Sequence, residues 1–89
     1  MPRVTFTANI QRHVTCPAMN VSGATVREAL EQVFNAIPPA RAYVLNEHGA
    51  VRPHMVIFVD GHQIHDRAGL SDPVPVDAEV HVMQALSGG

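Results

Sequence analysis

The sequence predicts an α+β domain in which a mixed sheet of four to five strands is covered on one face by one main helix. Three observations carry this expectation: an alternating stretch near the N-terminus, one amphipathic stripe behind a helix-start signal, and an apolar run closed by a tight-turn dipeptide. The chain has 89 residues, about one domain in size. Its composition, 46% hydrophobic and 16% charged, is that of a globular protein and lacks the charge excess of a disordered chain. Aromatic residues make up only 4% and Trp is absent, so Val, Ala, Leu, Ile and Phe must close the core.

From Arg3 to Ile10 the residues alternate, with Val4, Phe6, Ala8 and Ile10 on one side and Thr5, Thr7 and Asn9 on the other, the pattern of a half-buried strand. A second extended stretch, His13 to Val21, is interrupted by Pro17, which suits an edge or a bulge. The two are expected to pair as a hairpin joined near Gln11 and Arg12. Ser22-Gly23-Ala24 breaks the chain, and Thr25-Val26-Arg27-Glu28 fits a capping box. The helix that follows carries Val26, Ala29, Leu30, Val33, Phe34 and Ile37 as one stripe and ends near Ala36, because Pro38-Pro39 disfavours helical geometry before it. Ala40 to Pro53 reads as a connector with a helical turn around Arg41 to Asn46 and a turn at Glu47-His48-Gly49.

His54 to Val59 is an apolar strand, Asp60-Gly61 a hairpin turn, and His62 to His65 a short returning strand with Ile64. Asp66 to Asp77 is a loop with Leu70 as its core plug, and Glu79 to Leu86 is the last strand. The order of elements, with the first and last strands adjacent at the centre, is the β-grasp pattern. It gives a domain over residues 1–84 and a flexible C-terminal tail over 85–89, ending Ser87-Gly88-Gly89.

Six basic and eight acidic residues leave a formal charge of −2, with no basic cluster to neutralise a row of phosphates, so nucleic acid is not an expected partner. No apolar run approaches the roughly 20 residues that span a bilayer. The start Met1-Pro2-Arg3-Val4 leads into alternating residues and not an apolar secretion segment, so the expected location is cytoplasmic, without membrane attachment. The one cysteine, Cys16, cannot form an internal disulfide, and it falls short of the four thiolates of the common iron–sulfur clusters.

The C-terminus carries the chemistry. At average glycine usage, two terminal glycines arise in roughly 0.5% of chains by chance. A terminal carboxylate is a poor electrophile until ATP converts it to an acyl adenylate. Glycine suits that conversion, because a tail without Cβ atoms can thread a narrow channel. The other reading is an incidental end. The tail Met83-Gln84-Ala85-Leu86-Ser87-Gly88-Gly89, the helix start Gly23-Ala24-Thr25-Val26-Arg27-Glu28-Ala29-Leu30 and the hairpin Val56-Ile57-Phe58-Val59-Asp60-Gly61 resemble the MoaD/ThiS family of ubiquitin-like sulfur carrier proteins across nearly the whole chain.

The resemblance implies that an E1-like adenylyltransferase uses ATP and Mg to activate Gly89. It implies that a sulfur donor, a sulfurtransferase or sulfide, then leaves a thiocarboxylate there, and that an acceptor synthase takes the sulfur. Molybdopterin, the thiamine thiazole, and cysteine or homocysteine are the products this family serves. The long connector with Arg52-Pro53-His54 is more similar to the amino-acid-biosynthesis carriers than to the thiamine ones. On this reading the chain is a carrier and not an enzyme, binds no cofactor stably, and has no catalytic residues. A ubiquitin-like modifier or interaction domain, conjugated through Gly89, is the alternative.

Both faces of the strand around Met55 to Val59 are apolar, yet one substantial helix is available to cover a sheet. With Ile57 and Val59 under the helix and Val80 and Val82 inward, Val56, Phe58, His81 and Met83 form an outward patch suited to partner docking. The alternative is that Val56 and Phe58 are covered by a second copy or by the connector. Six histidines invite a metal, but His62 and His65, three apart on a strand, are expected on opposite faces with no Cys pair to complete a tetrahedral set, so no metal site is assigned. Cys16, with His13 nearby in sequence, is expected as a packed side chain, since nothing cationic lowers its pKa.

Overall fold

The computed structural model describes residues 1–85. Along the chain come β1 (Arg3–Phe6), α1 (Ala8–Gln11), β2 (Met19–Asn20), α2 (Val26–Ala36), α3 (Pro38–Val44), β3 (Met55–Val59), β4 (His62–Gln63) and β5 (Glu79–Gln84). The strands form one mixed sheet in the order β2-β1-β5-β3-β4, with β1 and β5 parallel and the other pairs antiparallel. The expected adjacency of first and last strands at the centre is therefore present.

The N-terminal third departs most from expectation. The strand stops at Phe6 instead of Ile10. Thr7 N–H makes one more bond to the Val82 carbonyl, at 3.2 Å, and Gln11 N–H then donates back to the Thr7 carbonyl, closing a helical turn. Ile10 still reaches the core at 1% exposure, while Ala8 lies exposed. Either geometry carries Ile10 inward, and Ala and Gln are good helix formers. The second strand is likewise only Met19–Asn20, because Pro17 cannot donate to a ladder. Consequently there is no tight hairpin at Gln11 and Arg12, and β1 connects to β2 through α1 and an irregular stretch.

In α2 the capping box is formed in a shifted version. Glu28 N–H donates to Thr25 Oγ1 at 3.2 Å, and the Glu28 carboxylate accepts from Ala24 N–H at 2.8 Å, one residue before the cap itself. The two earlier free donors are satisfied by the loop that precedes β5. Val26 N–H reaches the Asp72 carbonyl at 3.0 Å and Arg27 N–H the Leu70 carbonyl at 2.9 Å. Val26, Ala29, Leu30, Val33 and Phe34 are the buried face, as their spacing predicts.

Pro38-Pro39 ends α2 and also begins α3, so the connector is helical from Pro38 to Val44 and not from Arg41 to Asn46. Proline lacks an N–H that a first helical turn leaves unpaired in any case. Through Ala40 and Val44, α3 adds a second helical cover beside the main helix.

Asp60 and Gly61 have φ of 49° and 82°, the two positive values of a type I′ hairpin turn. The returning strand is shorter than expected, ending at Gln63, although Ile64 N–H still bonds the Ile57 carbonyl at 3.0 Å and its side chain is buried. Leu70 is fully buried and plugs the core. β5 ends at Gln84, before Ala85, and the expected end at Leu86 lies outside the described residues. The core unites Val4 and Phe6, the α2 stripe, Met55 and Ile57, Leu70, and Val80 and Val82.

Candidate functional site

Strand parity fixes the outer face of the sheet. Val80 and Val82 are fully buried under the helices, which turns His81 and Met83 outward, and the β3–β5 register sets Phe58 opposite His81 and Val56 opposite Met83. All four are half-buried. The expected assignment of faces therefore holds, with one difference: Val59 is only half-buried against the core. The structure thus brings Val56, Phe58, His81 and Met83 together as one patch on β3 and β5.

Thr5, on β1, completes the row on the other side. It pairs in register with His81, and its Oγ1 shares a 2.6 Å hydrogen bond with His81 Nδ1. Reading the sequence missed Thr5, although its outward parity was legible. The bond restrains the imidazole against the sheet, so His81, opposite Phe58 in the β3–β5 register, is not a freely rotating side chain.

At the end of β5 Ala85 N–H donates to the His54 carbonyl, at 2.8 Å. Gln84 lies between two side chains from elsewhere in the chain. Its Nε2 donates to the Tyr43 hydroxyl at 3.2 Å, and its Oε1 accepts from Asn9 Nδ2. Tyr43 is stacked on His13, with ring centroids 5.5 Å apart. The expected tail begins at Ala85. Leu86, Ser87, Gly88 and Gly89 lie outside the described residues, and with them the expected adenylation position.

The remaining candidates sit elsewhere. A surface concavity of about 320 Å³ is lined by both His62 and His65, with Asp60 and Asp72. Opposite faces for the two histidines do not apply, because β4 ends at Gln63 and His65 falls in the loop. Among the described residues no group of three or more His, Cys, Asp or Glu side chains is placed to hold a metal ion. In that loop the Ser71 hydroxyl, with Gly69 N–H, holds the Asp66 carboxyl below the usual range, and His65 and Asp66 N–H groups do the same for Asp72. Cys16 is fully buried, and burial pushes its thiol up. No helix among the described residues is long and apolar enough to cross a membrane.

No protein-family model and no curated protein matches the chain. Solved structures do. A chain of the BexX/CysO complex of Amycolatopsis orientalis aligns over 100% of this chain and 100% of its own, with a TM-score of 0.83 and 20% identity. SAMP1 from Haloferax volcanii aligns over 99% of this chain and 98% of its own, at 0.77 and 22%. The small archaeal modifier protein 1 of Methanosarcina acetivorans covers 99% and 95%, at 0.79 and 19%. At such identities the likeness speaks for the fold, and it fits the resemblance to MoaD/ThiS proteins that the sequence carries. The chain has the ubiquitin-like β-grasp fold of these small proteins, matched from end to end.

Proposed function

We propose that this chain is a sulfur carrier whose Gly89 carboxylate is the reacting group. An E1-like partner uses Mg-ATP to place AMP on that carboxylate with loss of pyrophosphate. Free sulfide, or the terminal sulfur of a sulfurtransferase persulfide, then attacks the carbonyl carbon; the C–S bond forms and the C–O bond to AMP breaks, and in the persulfide case a thiol cleaves the resulting S–S bond, becoming a disulfide as the thiocarboxylate is released. The thiocarboxylate donates its sulfur to an acceptor synthase in cofactor or sulfur amino-acid biosynthesis. The nucleotide chemistry belongs to the partners, and this chain acts as a protein substrate.

The observation that carries the reading is the position of β5. It runs through the middle of the sheet, presents His81 and Met83 on the outer face, and ends at Gln84, a few residues before Gly-Gly. An enzyme docked on Val56, Phe58, His81 and Met83 would therefore hold the strand that leads straight to the reacting carbon. The end-to-end likeness to a chain of the BexX/CysO complex supports a partner-binding role. A modifier reading is favoured by the likeness to small archaeal modifier protein 1. In that reading a lysine amine, and not sulfide, displaces AMP from Gly89.

Incubation with an activating enzyme, ATP and sulfide, followed by intact mass, tests both. Replacement of one oxygen by sulfur in the chain is the expected result. Conjugates of higher mass with no sulfur-bearing chain would refute the carrier and support the modifier.

A further inference from the structure

The alternation of β5 turns Val80 and Val82 toward the helices, and the same parity assigns Gln84 to that side. A polar residue there would be misplaced in mid-sheet. At the sheet's end, however, it meets polar partners on both sides: Asn9 from α1 and Tyr43 from α3, the latter backed by its stack on His13. One residue further on, Ala85 N–H is tied to the His54 carbonyl at 2.8 Å. Three separate stretches of chain thus converge on Gln84 and Ala85, although neither residue belongs to the buried core.

We infer that Gln84, clamped between Asn9 and Tyr43, is a positioning residue that fixes the root of the C-terminal segment at the end of β5. The inference deepens the carrier reading and rests on it. From Ala85 to Gly89 there are four residues, a reach of at most about 14 Å when fully extended. With so short a span, a root that wanders by a few ångströms changes which positions the terminal carboxylate can occupy relative to an enzyme seated on the outer face. A fixed root restricts that search to one exit point.

The test uses the full chain with Gln84→Ala and Tyr43→Phe, the second keeping the ring and its stack. Amide hydrogen exchange on the free protein is expected to speed up roughly fivefold to tenfold at Ala85, the factor that one net hydrogen bond supplies. Exchange at Val80 and Val82 is expected to stay within twofold. Gln84→Glu, which can accept from both the Asn9 amide and the Tyr43 hydroxyl, is expected to retain the protection at Ala85.

With the activating enzyme, Gln84→Ala is expected to lower kcat for ATP–pyrophosphate exchange at least threefold while KM stays within twofold, a split that a general loss of fold would not produce. Unchanged exchange at Ala85 in Gln84→Ala, or an unchanged kcat in a chain that is activated, overturns the inference. Failure of the unsubstituted chain to support pyrophosphate exchange counts against the carrier reading, and through it against the positioning role, whereas the exchange data on the free chain report on the clamp separately.

Discussion

Phe58 and Ile57 are adjacent on β3 and face opposite sides of the sheet, so replacing each by Asp separates docking from folding. Ile57 is fully buried. Ile57→Asp forfeits about 2–3 kcal/mol of apolar burial and adds several kcal/mol for an unpaired carboxylate in the core. A domain of 89 residues has about 4–13 kcal/mol of stability to lose, so this variant is expected to be unfolded or close to it. Phe58 is half-buried on the outer face. Its replacement costs about 1 kcal/mol of partial burial and up to about 1 kcal/mol of strand preference. A urea titration is expected to show Phe58→Asp folding cooperatively with its midpoint lowered by about 1–2 M. The same variant is expected to lose at least tenfold in affinity for the activating enzyme, because a charge is placed where an apolar contact is desolvated. A folded Ile57→Asp beside an unfolded Phe58→Asp would refute the assignment of faces. A stable Phe58→Asp that binds its enzyme unchanged would refute the docking patch.

Deleting Gly89 is expected to abolish activation and leave the urea midpoint in place, since among the described residues every core residue lies between Val4 and Val82. Thr25→Ala removes the acceptor for Glu28 N–H and is expected to cost about 1 kcal/mol in the same titration. Asp66 and Asp72 have carboxyls held below their ordinary range when folded; a lowered folded value means that their contribution is present above the unfolded value and is lost as pH falls through the folded one. Stability should therefore drop below about pH 4, and a less steep drop is expected in Asp72→Asn. Cys16, with its thiol pushed up by burial, is expected to resist iodoacetamide at neutral pH and to react at once in denaturant.

What the sequence revealed depended on whether a pattern had one geometric solution. The α2 stripe, its capping box and the Asp60-Gly61 turn each admit one, and each is present. The stretch from Thr7 to Gln11 admits two, because a single helical turn and a strand both carry Ile10 inward, and the local propensity of Ala8 and Gln11 settled it as helix. Pro38-Pro39 was legible as a stop but not as a start, since a proline pair satisfies both roles. The loop from Asp66 to Asp72 was unreadable in detail, because the local bonds of the Asp66 and Asp72 carboxylates are joined by long-range ones: Arg27 Nε to the Gly69 carbonyl at 2.9 Å and Arg27 N–H to the Leu70 carbonyl at 2.9 Å. No local spacing announces such partners.

The candidate site was legible to the extent that it follows from the core. Once Val80 and Val82 are required inside, a one-residue slip of β5 would bury His81 and expose both valines, so the outward position of His81 and Met83 is enforced by the hydrophobic free energy of the opposite face. The outward patch thereby inherits its geometry from the buried residues of the opposite face. Gln84 is where that inheritance stops. It has inward parity but no apolar side chain, and the position is stable because Asn9 and Tyr43 satisfy its amide at the sheet's end. A polar residue at an inward position of an otherwise regular strand was visible in the sequence as an inconsistency, whereas its partners, 75 and 41 residues away, were not. The break in the alternation thus marks the boundary between the part of β5 that holds the core together and the part that leads to Gly89.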